Sequence, residues 1–183
     1  MLEKESTLFT LQVFTENMAG MLSQITAVFT RRQINIESLN VSPSSIKGVH
    51  KYTITAYSDE DTIKKVVKQI EKKIDVVKAH YYTNSDLFLV EVALFKLSTP
   101  LVMQNPEISH IIRHANARIT EVNDTFCVVV AEGTTEKIVS LFHDLHKTKD
   151  CVLQFTRSGR IAVTRSCQEE VSKFLHERAE EID

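Results

Sequence analysis

The sequence predicts an α+β fold in which one βαββαβ unit occurs twice. Three observations carry that prediction. Short apolar runs bounded by polar or turn residues, such as Phe9 to Phe14, Val49 to Tyr57 and Leu87 to Phe95, read as strands. Segments between such runs repeat apolar residues at i, i+3 and i+4, the spacing of a helix with one buried face. The order strand, helix, strand, strand, helix, strand ends at Tyr82 and starts again at Leu87, across the polar break Thr83-Asn84-Ser85-Asp86.

In the first unit, Phe9 to Phe14 is the opening strand, and Met18, Met21, Leu22, Ile25, Val28 and Phe29 form the inner stripe of a helix. Asn35 to Ser42 is the second strand, Pro43 to Gly48 a turn region, and Val49 to Tyr57, rich in Thr and Tyr, the partner strand. Asp59-Glu60-Asp61 supply caps and negative charge for a helix N-terminus, and Ile63, Val66, Val67, Ile70 and Ile74 line that helix. Val76 to Tyr82 is the fourth strand. After the break, Leu87 to Phe95 is an almost wholly apolar strand, and Asn105-Pro106 caps a helix lined by Ile108, Ile111, Ile112 and Ala115. Arg118 to Val122 and Thr125 to Ala131 flank Asn123-Asp124, a tight hairpin turn. Thr134 or Thr135 caps a helix with Ile138, Leu141, Phe142 and Leu145 inward, and Cys151 to Thr156 closes the unit. Ser158-Gly159 turns the chain into a short Ile161-Ala162-Val163 segment. Val171, Phe174, Leu175 and Ile182 mark a last amphipathic helix. The expected domains are residues 1–83, residues 84–166 and the helix 167–183. Each unit should be a ferredoxin-like sandwich, with two helices on one sheet face and the other face and the edges open to a partner.

Composition limits what such a chain does. It has 183 residues with a hydrophobic fraction of 43%, enough for packed cores and too much for disorder. Net charge is −2 and the pI about 6.4, so no global field attracts nucleic acid or anionic lipid. No apolar run approaches the roughly 20 residues that span a bilayer, and the polar start lacks the basic and apolar regions of a signal peptide. Cys127, Cys151 and Cys167 are odd in number and scattered, as reduced thiols of a cytoplasmic protein are.

The segment Thr15 to Val41 is the most informative stretch, and it contains no nucleophile beside a base, no metal cluster and no phosphate loop. It offers a helix N-terminus next to polar backbone, which suits a small zwitterion such as an amino acid. Gly20 lies in the first turn of that helix. There it serves either a turn or tight packing, or it lets a carboxylate reach free N–H groups at the positive helix end. Asn17 is an N-cap candidate whose side-chain carbonyl would otherwise accept from an α-ammonium, and the two roles compete for the same atoms. Asn35 opens a strand and either caps loop backbone or bonds a ligand; Ile36 is core, or lines a pocket for an aliphatic group. His110 with His114 and His143 with His146 have metal-ligand spacing but no evident third ligand. Lys64, Lys65, Lys68, Lys72 and Lys73 read as a solvated helix face. An RNA-binding sandwich of the same topology would need strand aromatics on a basic face, and Phe9, Phe14, Phe88 and Phe95 have apolar flanks instead. A stand-alone enzyme ranks last, because no acid–base pair with a defined spacing is present.

The run Glu16-Asn17-x-x-Gly20-x-Leu22, then Phe29-x-x-Arg32, then Asn35-Ile36-Glu37-Ser38-Leu39 closely resembles the regulatory small subunits of acetolactate synthase (acetohydroxyacid synthase), in their N-terminal ACT domain. The agreement in element order extends over roughly residues 8 to 166, and Thr156-Arg157-Ser158-Gly159 is also similar to the family's. The resemblance implies a non-catalytic partner of a thiamine-diphosphate enzyme that makes the committed precursor of valine, leucine and isoleucine. Such a chain raises the activity of the large subunit and confers feedback inhibition, typically by valine. It needs no cofactor of its own; thiamine diphosphate and Mg²⁺ belong to the catalytic partner, where FAD is a further candidate. By this resemblance two ACT domains pair, and the effector sits between them, with Asn17, Ala19, Gly20 and Met21 of one chain facing Asn35 and Ile36 of the other. A stand-alone amino-acid sensor of another partner is the alternative. An apolar wall separates ligands by only roughly 1–3 kcal/mol per methylene, which leaves valine, leucine and isoleucine weakly resolved. In one place the chain departs from the family, with Gln33-Ile34 where a glycine and an aromatic usually precede Asn-Ile-Glu-Ser. Gln33 would then occupy the left-handed position after a helix, at a cost on the order of 1 kcal/mol, or the helix ends differently.

Overall fold

The computed structural model describes residues 6–148, 151–167, 171, 172, 174 and 175. Its elements run β1 (Thr7–Glu16), α1 (Met21–Thr30), β2 (Ile36–Pro43), β3 (Val49–Ser58), α2 (Glu60–Glu71) and β4 (Val76–Tyr82) in the first half. The second half holds β5 (Leu87–Ser98), α3 (Thr99–Gln104), α4 (Pro106–His114), β6 (Arg118–Val122), β7 (Phe126–Gly133), α5 (Thr135–Lys147), β8 (Val152–Arg157) and β9 (Ile161–Thr164). The sheet orders are β2-β3-β1-β4 and β6-β7-β5-β8, with β9 also pairing with β5. Both are the order of a split-βαβ sandwich, so the expected α+β class with two ferredoxin-like units is borne out.

By compactness the chain divides into residues 1–88 with 160–183, and residues 89–159. The stretch from Arg160 to residue 166, allotted by sequence to the second domain, clusters with the first unit. Its fastenings there are polar and long-range, which no local pattern encodes. Arg160 Nη1 donates to Asn84 Oδ1 at 3.2 Å, Arg165 N to Asp86 O at 3.0 Å, and Gln12 Nε2 to Ala162 O at 3.1 Å. Residues 171, 172, 174 and 175 are helical; the remainder of the expected last helix, Ile182 included, lies outside the described residues.

Strand alternation sorts the first sheet cleanly. Phe9, Leu11, Val13, Tyr52, Ile54, Ala56 and Ala79 face Met21, Ile25, Val28 and Phe29 of α1 and Ile63, Val66, Val67 and Ile70 of α2. Each fully buried Ile or Phe here contributes roughly 1.5–3 kcal/mol. In the second sheet Ala93, Phe95, Leu97, Cys127, Val129 and Ala131 face Ile108, Ile112, Ile138, Leu141 and Leu145. Phe9 and Phe95 therefore belong to helix-covered cores, where they are unavailable for base stacking. The other face of the first sheet departs from expectation. Instead of lying open, it buries Thr10, Gln12, Thr53 and Thr55.

Helix boundaries follow local chemistry. Asp59 accepts from Thr62 N at 3.0 Å, Asn105 from Glu107 N at 3.1 Å, and Thr134 from Lys137 N at 3.5 Å, so all three expected caps form. The Asn123 side chain accepts from Thr125 N and Phe126 N at 2.9 and 2.8 Å, which closes the β6–β7 turn. The run Thr156-Arg157-Ser158-Gly159 staples β8 to β5. Arg157 Nη1 reaches the buried Glu91 at 3.3 Å, while Ser158 N donates to Val92 O and Ser158 Oγ accepts from Val92 N. Two inward expectations fail because the helices are shorter than the apolar pattern. Met18 precedes α1 and is exposed, and Ile74 follows α2 and is 98% exposed. Leu22 is within α1 yet exposed on its flank.

Candidate functional site

β1 delivers the chain to the corner between Glu16 and Gly20. Glu16 N donates to Asp75 O at 2.9 Å and Asn17 N to Gly48 O at 3.1 Å, which anchors the corner to the neighbouring loops. Gly20 is the N-cap of α1 rather than a first-turn residue, in a left-handed conformation with φ +87° and ψ −8°. No side chain caps the helix, so Asn17 does not fill the capping role and stands exposed. Gln24 N finds Gly20 O at 3.1 Å and Met21 N finds Met18 O at 3.5 Å. Among the described residues, the backbone N–H groups of Ala19, Gly20, Leu22 and Ser23 have no protein acceptor. This is an uncapped positive helix end, open to an anionic group.

The requirement for glycine is conformational and not steric. A Cβ on Gly20 would meet nothing within 4 Å, so packing does not exclude a side chain, whereas the positive φ does. The corner is walled by Met18 and Leu22, 52% and 44% exposed, and by Ala19, also exposed. Met21 differs, since its side chain is buried in the core and only its backbone belongs to the corner.

Asn35 and Ile36 lie after α1. Gln33 is left-handed at φ +55°, as the departure from the family's glycine implied. Gln33 N donates to Thr30 O at 3.0 Å and Ile34 N to Phe29 O at 3.1 Å, the paired bonds of a Schellman turn, and Ile34 packs on the core. Asn116 repeats the device after α4 at φ +53°, with Asn116 N to Arg113 O and Ala117 N to Ile112 O, both 3.0 Å. The turn leaves Asn35 exposed in a hollow of about 430 Å³ with Gln33, Tyr57, Asp59 and Thr62, and Ile36 half-buried opposite Ala56. At the start of α2, Glu60 is held below the usual carboxylate range, chiefly by its hydrogen bond to Lys64 at 2.8 Å and then by Tyr81.

Strand register decides how the two halves relate. Glu16 lies opposite Val49 and Ile36 opposite Ala56 on the same strand β3. Seven strand residues separate those positions, about 23 Å at the rise of an extended chain. The Gly20 corner and Asn35 are thus at opposite ends of the first sheet, and one copy cannot bring them around one small molecule. Among the described residues no group of three or more His, Cys, Asp or Glu side chains is placed to hold a metal ion. No helix there is long and apolar enough to cross a membrane.

Residues 11–78 match the ACT domain of AHAS small-subunit-like proteins, and residues 90–166 match the small subunit of acetolactate synthase. The chain belongs to the acetolactate synthase small-subunit family. The acetolactate synthase small subunit of Bacillus subtilis is 32% identical over 158 residues, covering 85% of this chain and 90% of that one. A probable small subunit of Archaeoglobus fulgidus is 30% identical over 156 residues, covering 85% and 96%. The crystal structure of the Thermotoga maritima acetolactate synthase small subunit has the same fold, with a TM-score of 0.78 at 23% identity over 88% of this chain and 99% of that one. The left-handed Gly20, the uncapped helix and the remote Asn35 are therefore features of an ACT domain in a regulatory subunit of this family.

Proposed function

We propose that this chain is the non-catalytic partner of a thiamine-diphosphate acetolactate synthase, which it activates and places under feedback control by a branched-chain amino acid, valine foremost. One observation carries the reading: four free N–H groups surround a left-handed glycine at the start of α1, with exposed Met18 and Leu22 beside them. The N–H groups suit an α-carboxylate, and the apolar pair suits a short aliphatic side chain. Asn35 and Ile36 of a second copy complete the pocket, because the register holds the pair in the same copy about 23 Å away. The working form is a homodimer through its ACT domains. Thiamine diphosphate, Mg²⁺ and any FAD reside in the catalytic chain, and the complex acts in the cytoplasm.

The test is to mix the protein with the catalytic chain from the same source and measure acetolactate formation with and without valine. A rise in rate on mixing, and its loss with millimolar valine, is the expected result. Gly20→Asp should abolish inhibition while keeping activation, since it adds negative charge at the anion-binding end. Unchanged rates on mixing would remove the regulatory role. Activation that no branched-chain amino acid reverses would remove the sensing role alone.

A further inference from the structure

The second face of the first sheet is built of polar rows. Ser38, Thr55, Thr10 and Tyr82 lie in register across β2, β3, β1 and β4, and Asn40, Thr53, Gln12 and His80 form the next row. Thr10, Gln12, Thr53 and Thr55 are buried. What lies against them is the chain's own C-terminal segment. Gln12 Nε2 and Lys51 Nζ both donate to the backbone carbonyl of Ala162, at 3.1 and 3.4 Å, and Lys78 Nζ lies 5.6 Å from the ring centre of Phe174. Val171 is fully buried. The family match ends at residue 166, so Val171 and Phe174 belong to a stretch of this chain beyond it.

This contact is unlike the other face of the same sheet, which is apolar throughout. It is made largely of hydrogen bonds, whose net worth is small because water offers the same partners. It also leaves two buried acceptors, Thr10 Oγ1 and Gln12 Oε1, with no partner among the described residues. Water reaching the face would satisfy both. The segment leaves the second unit through Ser158 and Gly159, and Gly159 is left-handed at φ +76°, a pivot that takes little rearrangement.

We propose that this sheet face is a peptide-binding surface occupied in cis, and that the segment from Arg160 onward is a detachable cover upon it. The face reads a main-chain carbonyl through Gln12 and Lys51 and takes apolar side chains at Val171 and Phe174. Release exposes two four-residue polar rows to a protein segment with the same features. The cover opens without unfolding the sheet beneath it.

Hydrogen–deuterium exchange on the full-length chain, wild type and Val171→Asp, tests this. In the wild type, amides of residues 161–165 should exchange at least about tenfold faster than those at the centre of β1, because local opening is easier than global unfolding. Val171→Asp should raise exchange at 161–165 by a further factor of about ten and leave β1 and β3 within about twofold. A labelled peptide of residues 160–183 should bind the Val171→Asp chain and fail to bind the wild type, whose own segment occupies the face. Exchange at 161–165 in step with β1 would overturn the proposal, as would joint loss of protection in β1 and the segment on substitution. Failure of the peptide to bind the variant would also overturn it. Protection that rises with protein concentration would place the segment on a second copy and overturn occupancy in cis.

Discussion

Replacing Gln33 by glycine should stabilise the first unit, although it deletes a side chain. Gln33 is exposed, sits at φ +55° and uses only its backbone N–H to close the turn after α1. The left-handed conformation costs an ordinary L-residue about 1–2 kcal/mol, and glycine escapes that cost. Against this, glycine loses more backbone freedom on folding, about 0.5–1 kcal/mol. The net gain is about 0.5–1 kcal/mol. A change of that size moves the melting point of a domain of 60–100 residues by roughly 2–8 °C, which calorimetry and urea titration both resolve. Asn116→Gly is the internal control, because asparagine tolerates the left-handed region better and the gain there should be smaller. Gly20→Ala is the reverse experiment, with an expected loss of about 1 kcal/mol despite open space around the new methyl group. A destabilised Gln33→Gly chain, or a larger gain at Asn116 than at Gln33, would refute the reasoning.

Other substitutions probe separate parts of the fold. Thr10→Val replaces a buried hydroxyl without a partner by an isosteric methyl, so urea titration should show a gain of about 1 kcal/mol; a loss would mean that the hydroxyl is satisfied in solution. Arg157→Ala leaves the carboxylate of Glu91, 2% exposed, without its ion pair. The cost should be about 2–3 kcal/mol, below that of a fully buried pair because Arg157 is 38% exposed, and the further change Glu91→Leu should recover most of it. Burial pushes the Cys127 thiol above its ordinary value and Cys151 is also buried, whereas Cys167 is exposed. Native alkylation at pH 8 should therefore give a single adduct by mass spectrometry, at Cys167. Asp86 is held below its ordinary value by hydrogen bonds from the Thr83 hydroxyl and backbone. Its contribution to the turn is present above the unfolded-state value and is lost as pH falls through the lowered one, so an NMR titration should give a depressed midpoint that Thr83→Val moves back up.

Much of the architecture was legible because it depends on neighbours in sequence. The caps Asp59, Asn105 and Thr134 bond backbone within three residues, and the Asn123 turn closes over the same distance. The left-handed Gln33 followed from the missing glycine. Helix ends were less legible. Met18 and Ile74 continue the apolar period of α1 and α2, but each lies beyond the end of its helix. The short helix α3 gave no signal of its own in the apolar pattern.

By itself the sequence determined two sandwiches, their core faces and a glycine-led helix start, since strand alternation, helical spacing and capping act over a few residues. The tertiary structure alone decided two further matters. Register along β3 put the Gly20 corner and Asn35 at opposite ends of one sheet, a distance that spacing in the chain does not reveal. Hydrogen bonds such as that from Gln12 to Ala162, 150 residues apart, put the chain's end over a polar face that would otherwise meet water. Both are long-range pairings, set by which strands meet and in what register, and no local preference of the residues involved encodes them.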